Sequence, residues 1–353
     1  MHFTQAEDFT GQSGGGRWVT RYSYPNRIPF RVWETPVPRI ADRYTDCAVY
    51  IYQSRRDAEL GVHQGGSGFI VMVPFENNPV VCHPYIVTNQ HVVIAAGDPV
   101  IRLNRKDGGT ECLETKADQW KQHREGDDIS VLPFDIEPDN LKHSGIPLRS
   151  FVTKSLIEIE DIGIGDDTIM IGRFINHEGK QQNAPAVRFG NIAMMATEKI
   201  KTPVGLEQEG FLVETRSLPG YSGSAVLIYS PCAMNDMSVR RLGIDKASIK
   251  PLLSGRTAEE QEHFHSEMTA SLAAKGPYLL GIDFCHIPRQ ATVRRRITGG
   301  TETTDLFVDE NTGMAGVIPA WRIIEVLFRE DLIEARRKAE RDLAEASSGC
   351  ALD

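Results

Sequence analysis

Long apolar runs are missing: no window of the 353 residues approaches the roughly 20 consecutive apolar residues that a membrane-spanning helix needs. Met1 to Thr10 (MHFTQAEDFT) lacks the charged-then-apolar layout of a secretory leader, so the expectation is a soluble, cytoplasmic chain without a membrane partner. An excess of positive charge is missing too. The formal net charge is −9, and binding of phosphate backbones needs a concentrated basic face, so nucleic acid is not an expected partner. Cysteine is sparse: the six (Cys47, Cys82, Cys112, Cys232, Cys285, Cys350) fall singly, without a C-x-x-C pair or a tight His/Cys group. That spacing predicts no metal site and no cofactor. Reduced, mostly buried thiols fit it better than a disulfide framework.

What is present is ordinary globular material, 41% hydrophobic and 25% charged, enough for one large domain or two modest ones. Residues 1–42 mix Gly14, Gly15 and Gly16 with aromatics and Pro25, Pro29, Pro36 and Pro38, with no sustained period, which predicts an extended arm. From Cys47 the chain changes to short β-branched and aromatic runs separated by Gly, Pro, Asn and Asp. That is the pattern of an all-β protein. Strands are predicted at Ala48–Gln53, Gly68–Val73, Tyr85–Thr88, Val100–Leu103, Glu111–Ala117 and Ile129–Phe134, then at Thr168–Phe174, Ala186–Ile192, Gly210–Thr215, Ser224–Ile228, Tyr278–Cys285 and Met314–Ile318.

Two series of six strands predict two six-stranded antiparallel β-barrels, over 43–147 and 148–330, since closure removes exposed edges. Thr257 to Lys275 is rich in helix formers and predicts an inserted helix within about 235–276. Pro319 to Ala346 predicts a C-terminal helix. Its apolar stripe (Trp321, Ile324, Leu327, Phe328, Leu332, Ala335) should pack on a barrel, while the charged tail at 331–353 projects into solvent or onto a partner.

Three local patterns carry chemistry. Leu218-Pro219-Gly220-Tyr221-Ser222-Gly223-Ser224 heads an apolar run and sets a serine between glycines, where the N–H groups of Gly220 and Ser222 can converge on one developing oxyanion. A serine hydroxyl needs a base. Thr88-Asn89-Gln90-His91-Val92-Val93 places a histidine directly after an apolar strand, a rigid position for proton transfer. Asp127-Asp128-Ile129-Ser130-Val131-Leu132 offers an orienting carboxylate: Asp128, next to the strand, can be drawn inward, and Asp127 should stay in solvent. Singly, each pattern reads as a surface histidine, an acidic turn or a hairpin. Their occurrence in the order His, Asp, Ser points to nucleophilic acyl transfer.

On these residues the chain resembles the chymotrypsin-fold, trypsin-like serine proteases, and within them the HtrA-type peptidases. Ser67-Gly68-Phe69-Ile70 is similar to the family's S-G-F strand, Thr88-Asn89-Gln90-His91-Val92 to T-N-x-H-V, and Asp128-Ile129-Ser130-Val131-Leu132 to D-[IL]-A-V-L. Ile164-Gly165-Asp166 with Ile171-Gly172 is similar to V-G-D…I-G, and Gly316-Val317-Ile318-Pro319 to F-A-I-P. The resemblance runs from about residue 45 to 330 and implies a chymotrypsin-type fold and a serine endopeptidase with His91 as base, Asp128 as orienting acid, Ser222 as nucleophile, and Gly220 and Ser222 as oxyanion hole. The family's G-N-S-G-G is here Gly220-Tyr221-Ser222-Gly223-Ser224. A PDZ-like segment does not follow the helix, and an I-V-G-G-type new N-terminus does not precede the first barrel.

By the same resemblance the pocket for the residue preceding the scissile bond lies around Arg216 and Ser217 and along Asp283 to Ile287. Arg216 could accept an acidic side chain there. Alternatively Arg216 turns outward and Ser217, Ile287 and Met314 form a small apolar slot, which the cost of burying an unpaired guanidinium favours. Arg294-Arg295-Arg296, with Arg289 nearby, reads as a solvated loop, or as one that steers acidic substrates. The expected partner is a protein or peptide substrate. Control is expected either from narrow specificity or from a resting cleft released by a regulatory protein, and the competing reading is a catalytically silent module that binds a protein partner. The oligomeric state is left open.

Overall fold

The computed structural model describes residues 40–134, 140–173, 179–201, 207–215, 220–228, 277–298 and 300–349. The N-terminal arm up to residue 39, the inserted helix, Arg216 and Ser217 lie outside the described residues.

Among the described residues the fold is all-β, and each predicted strand is present. The first series comprises β1 (Ala48–Tyr52), β2 (Gln64–Pro74), β3 (Cys82–Thr88), β4 (Val100–Asn104), β5 (Thr110–Glu114), β6 (Lys121–Gln122), β7 (Ser130–Pro133) and β8 (Ile146–Pro147). They form one eight-stranded sheet in the order β5-β4-β1-β2-β3-β7-β6, with β8 parallel to β2. Among the described residues this sheet is not closed, whereas the prediction was a ring of six. The short β6 and β8 account for the two additional strands, and neither has enough residues to show a period in the sequence.

The second series comprises β9 (Asp167–Gly172), β10 (Ala186–Met194), β11 (Lys199–Lys201), β12 (Glu207–Glu209), β13 (Phe211–Glu214), β14 (Ala225–Ile228), β15 (Tyr278–Ile297) and β16 (Gly300–Pro319). Six of these close as β10-β13-β16-β15-β14-β9, and β11 pairs with β12 outside the ring.

Interior positions explain the pairing. All five residues of β1 are buried, and the continuous run Ala-Val-Tyr-Ile-Tyr suits a strand covered on both faces. One core joins both sheets: Phe69, Val71, Val87, Ile129 and Val131 from the first meet Ile169, Ile171, Ala225, Leu227, Ile282 and Ile318 from the second. Burying each such side chain contributes roughly 1.5–3 kcal/mol before the entropy of ordering is subtracted.

Two features differ from the sequence expectation. The β15–β16 hairpin runs 20 residues per strand, far beyond Cys285 and Met314, so Arg294, Arg295 and Arg296 lie on a strand and not in a loop. Its outer half is exposed on both faces and therefore shows no alternation, but Thr292, Val293, Thr301, Thr303, Phe307 and Val308 favour extended backbone.

The C-terminal helix is two helices, α2 (Ala320–Leu327) and α3 (Glu330–Gly349); α1 (Gln90–Ala96) follows β3. Phe328 leaves helical geometry at φ −101°, ψ 23°. Arg329 there donates to the Gln122 carbonyl at 2.8 Å. Through Glu340, α3 does not project. Arg336 is buried and donates to Tyr85 Oη at 2.9 Å, and Glu340 meets His83 Nε2 at 3.0 Å. Of the predicted stripe, Leu332 in α3 is buried in the core and Ala335 is exposed, and the further contacts to β3 are polar. No helix among the described residues is long and apolar enough to cross a membrane.

Candidate active site

Strand register brings His91 and Asp128 together. β3 and β7 are adjacent and antiparallel, with Thr88 opposite Ser130, so the chain just after β3 meets the chain just before β7. Asn89 caps the entry to α1 in extended geometry, and its side chain, instead of capping the helix, donates to the Asp128 carbonyl at 2.8 Å. His91 therefore sits in the first turn of α1 facing Asp128. The imidazole Nδ1 lies 2.5 Å from Asp128 Oδ2, and the His91 backbone N–H donates to Oδ1 at 2.8 Å. With Asp128 ionised, Nδ1 carries the hydrogen and Nε2 is left as the acceptor.

Asp128 is buried, its side chain 7% exposed, and Gln208 on β12 accepts from its backbone N–H at 3.0 Å. His91 remains 47% exposed, open to a reactant.

Asp127 departs from the expectation that it faces solvent. It is buried and ion-paired with Arg322 of α2, which also meets Glu125 at 2.6 Å and Glu325 at 2.9 Å. Burial works against the Arg322 charge, yet Asp127 and Glu125 hold its pKa above the ordinary value. Adjacent carboxylates thus part: Asp128 faces the imidazole and Asp127 the helix.

Ser222 lies on a turn that needs glycine. Gly220 has φ +94° and Gly223 φ +88°, conformations a side chain rarely adopts, and a Cβ on Gly223 would stand 1.9 Å from the Ser67 carbonyl oxygen. The Gly223 N–H donates to the Asp283 carbonyl at 2.9 Å and the Ser224 N–H to the Tyr221 carbonyl at 2.8 Å. Among the described residues the N–H groups of Gly220 and Ser222 have no acceptor, which suits donors reserved for an oxyanion.

Ser67 joins the two halves, a role its place in the S-G-F pattern did not disclose. Its N–H donates to the Ser222 carbonyl at 2.9 Å, its carbonyl accepts from Thr88 Oγ1 at 2.7 Å, and its hydroxyl accepts from the Arg173 N–H at 3.1 Å. Main-chain contacts of this kind leave no residue-type signature. The Ser222 turn is thereby fixed to the strand that precedes His91. Among the described residues no hydrogen bond links His91 to Ser222 Oγ.

Tyr221, directly before Ser222, is fully buried. Its hydroxyl accepts from Arg188 Nε at 2.7 Å, and the guanidinium lies 4.5 Å from the ring centroid. Burial raises the Tyr221 pKa, and the Arg188 contact works the other way. Arg188 also borders a cavity of about 950 Å³ lined with Glu214, Thr215, Asn311, Thr312 and Gly313. Ile287 and Met314 are half-buried and do not line it, although Thr312 Oγ1 donates to the Ile287 carbonyl at 2.5 Å. Burial, with Asp283 and Asp128 nearby, pushes the neighbouring Cys285 thiol up to about 12.

No family model and no curated protein sequence matches the chain. Its structure is similar to those of solved proteases at low identity. It is 18% identical to Deg5, over 53% of this chain and 76% of that one, with a TM-score of 0.35. It is 14% identical to the HtrA-type protease AlgW solved with a decapeptide, over 83% and 66%, with a TM-score of 0.42. For the active form of the Rv3671c protease from M. tuberculosis the identity is 13%, over 81% of each chain, with a TM-score of 0.39. Likeness at this level carries no functional argument, which rests on the geometry above.

Proposed function

We propose that the chain is a serine endopeptidase of the trypsin-like, HtrA-related kind, acting on protein or peptide substrates. The observation that carries this reading is the hold of Asp128 on both the ring and the backbone of His91, beside a serine turn whose N–H groups at Gly220 and Ser222 are unclaimed among the described residues. In the reaction, Ser222 Oγ attacks the peptide carbonyl while His91 Nε2 takes its proton, and the oxyanion accepts hydrogen bonds from Gly220 and Ser222. His91 then returns the proton to the leaving amine. Water, deprotonated by the same nitrogen, releases the acyl group and restores Ser222.

The exposed imidazole without a hydrogen bond to Ser222 supports a resting cleft that tightens when substrate or a regulatory protein binds. The same observation favours a second reading, a silent module that uses the cleft to hold a protein. Labelling with a fluorophosphonate separates them: the protease reading expects a covalent adduct on Ser222, lost in His91→Ala. A folded protein that takes no label under any activating condition would sink it.

A further inference from the structure

Two buried side-chain amides hold the main chain of Asp128, one from each series of strands. Asn89, at the end of β3, donates to the Asp128 carbonyl at 2.8 Å, and Gln208, on β12, accepts from the Asp128 N–H at 3.0 Å. An N–H can only donate, so the Gln208 oxygen faces it and the NH2 group turns away. That Nε2 is buried and has no hydrogen-bond partner among the described residues.

Packing alone does not ask for an amide at this position. β11 and β12 form a two-stranded ribbon outside the ring, with Gln208 directly opposite Ile200. Lys199, Lys201 and Glu207 are exposed, whereas Ile200 and Gln208 are buried, Gln208 at 3% exposure. Such alternation marks a half-buried ribbon, whose inward positions suit apolar side chains. Gln208 occupies one of them, leaves a buried donor unpaired, and makes a single side-chain hydrogen bond, to Asp128. The ribbon is closely seated: a Cβ on Gly210 would stand 3.0 Å from Ile200 Cδ1 and 3.2 Å from the Val317 carbonyl oxygen on β16. The second series of strands therefore fixes where the amide oxygen lies.

We infer that Gln208 is a positioning residue for Asp128, and through it for the imidazole of His91, acting from the second series of strands. The inference rests on the protease reading for its effect on catalysis. Gln208 fixes the peptide plane before the Asp128 Cα and Asn89 the plane after it, so together they set the direction of the Cα–Cβ bond. That direction aims the carboxylate at both the ring and the backbone N–H of His91. Asn89 belongs to the segment that carries His91 and moves with it. Gln208 instead lies on the chain that runs through β13 to the Ser222 turn, so its hydrogen bond refers the His91–Asp128 pair to the strands that hold Ser222.

The test uses the full chain with Gln208→Met, or Gln208→Leu should methionine disturb the ribbon, beside Gln208→Glu, which keeps an oxygen facing Asp128. Three quantities are read: the fluorophosphonate labelling rate, the thermal midpoint, and the far-downfield proton resonance of the His91 Nδ1–H. Methionine removes one unpaired donor, Nε2, and strands another, the Asp128 N–H, so the midpoint is expected to stay close to the parent's. Labelling is expected to fall about ten-fold, the scale of a displacement under about 1 Å, and the resonance to shift or broaden as the carboxylate loses its direction. Gln208→Glu, read at about pH 9 so that His91 stays neutral beside the added carboxylate, is expected to label within about three-fold of the parent and to keep the resonance. Labelling untouched by methionine, a loss of labelling with the resonance unchanged, or a loss that glutamate shares overturns the inference. The resonance needs no turnover. A parent that takes no label, but whose resonance is lost in Gln208→Met, overturns the protease reading and leaves the placement of Asp128 by Gln208 standing.

Discussion

Asp128→Asn tests the site through one hydrogen atom. The carboxylate accepts twice from His91, from the backbone N–H at Oδ1 (2.8 Å) and from the ring Nδ1–H at Oδ2 (2.5 Å). An amide of the same shape can accept only once. The backbone N–H cannot relocate its hydrogen, so the amide oxygen turns to it and the NH2 group faces Nδ1. The imidazole then accepts at Nδ1 and carries its hydrogen on Nε2, the nitrogen that must take the Ser222 proton. A wrong tautomer of this kind costs a His–Asp–Ser site about 10⁴-fold in turnover, roughly 5 kcal/mol at the transition state.

The assay is the second-order rate of fluorophosphonate labelling, with the thermal midpoint measured alongside. Asp127→Asn is the matched control: its partner is Arg322, so stability falls by about 1–3 kcal/mol while labelling stays within about three-fold. If Asp128→Asn labels within about ten-fold of the parent with its midpoint preserved, then Asp128 does not set the tautomer and the reasoning fails.

Three other changes probe the surroundings. Gly223→Ala forces a side chain into φ +88° and 1.9 Å from the Ser67 carbonyl, so the turn must rearrange; labelling is expected to vanish while far-UV circular dichroism retains the strand signal. Tyr221→Phe deprives Arg188 of an acceptor at a buried site, with an expected loss of about 1–3 kcal/mol in denaturant midpoint analysis and a few-fold slower labelling. The Cys47 thiol is fully buried and pushed up to about 12 from 9.0, so its contribution to stability is complete below pH 9 and declines as pH rises from there towards 12, where only the unfolded chain has lost the proton. Iodoacetamide at pH 8 should accordingly alkylate Cys47 only after denaturant is added; modification of Cys47 in the native protein contradicts its burial.

Where local pattern determines structure, the sequence was readable. Strands such as Val100–Asn104 and Ala225–Ile228 are apolar runs bounded by turn formers, and Thr88 to His91 carries a strand end and a base in adjacent residues. What escaped depends on partners remote along the chain. Asp127 reads as a solvated acid because the guanidinium that buries it belongs to Arg322, on a helix at the other end of the protein. Ser67 holds Ser222 and Thr88 through its main chain, and any residue type has an N–H and a carbonyl, while its hydroxyl is set between Arg173 and Gly220, which are remote in sequence. The outer hairpin is a two-stranded ribbon with no buried face, so no period of two marks it.

The distribution of these remote contacts bears on how the cleft can change. β3 leads at its C-terminal end into α1 and His91, while His83 and Tyr85 near its other end hold Glu340 and Arg336 of α3. α2, one turn earlier in the chain, grips Asp127 through Arg322, directly beside the carboxylate that orients His91. The C-terminal helices therefore contact both the strand that leads to His91 and the segment that carries Asp128. The Ser222 turn is held by Ser67 and, through Gly223, by Asp283, and Ser67 in turn accepts from Thr88 at the end of β3, so the turn is tied to the strand that precedes His91. A displacement of α2 and α3 that moved β3 would therefore pull on the serine turn as well, through Thr88 and Ser67. The shared core opposes large movements, because Ile323, Val326 and Leu327 of α2 pack with Phe69, Ile129 and Ala225 from both sheets.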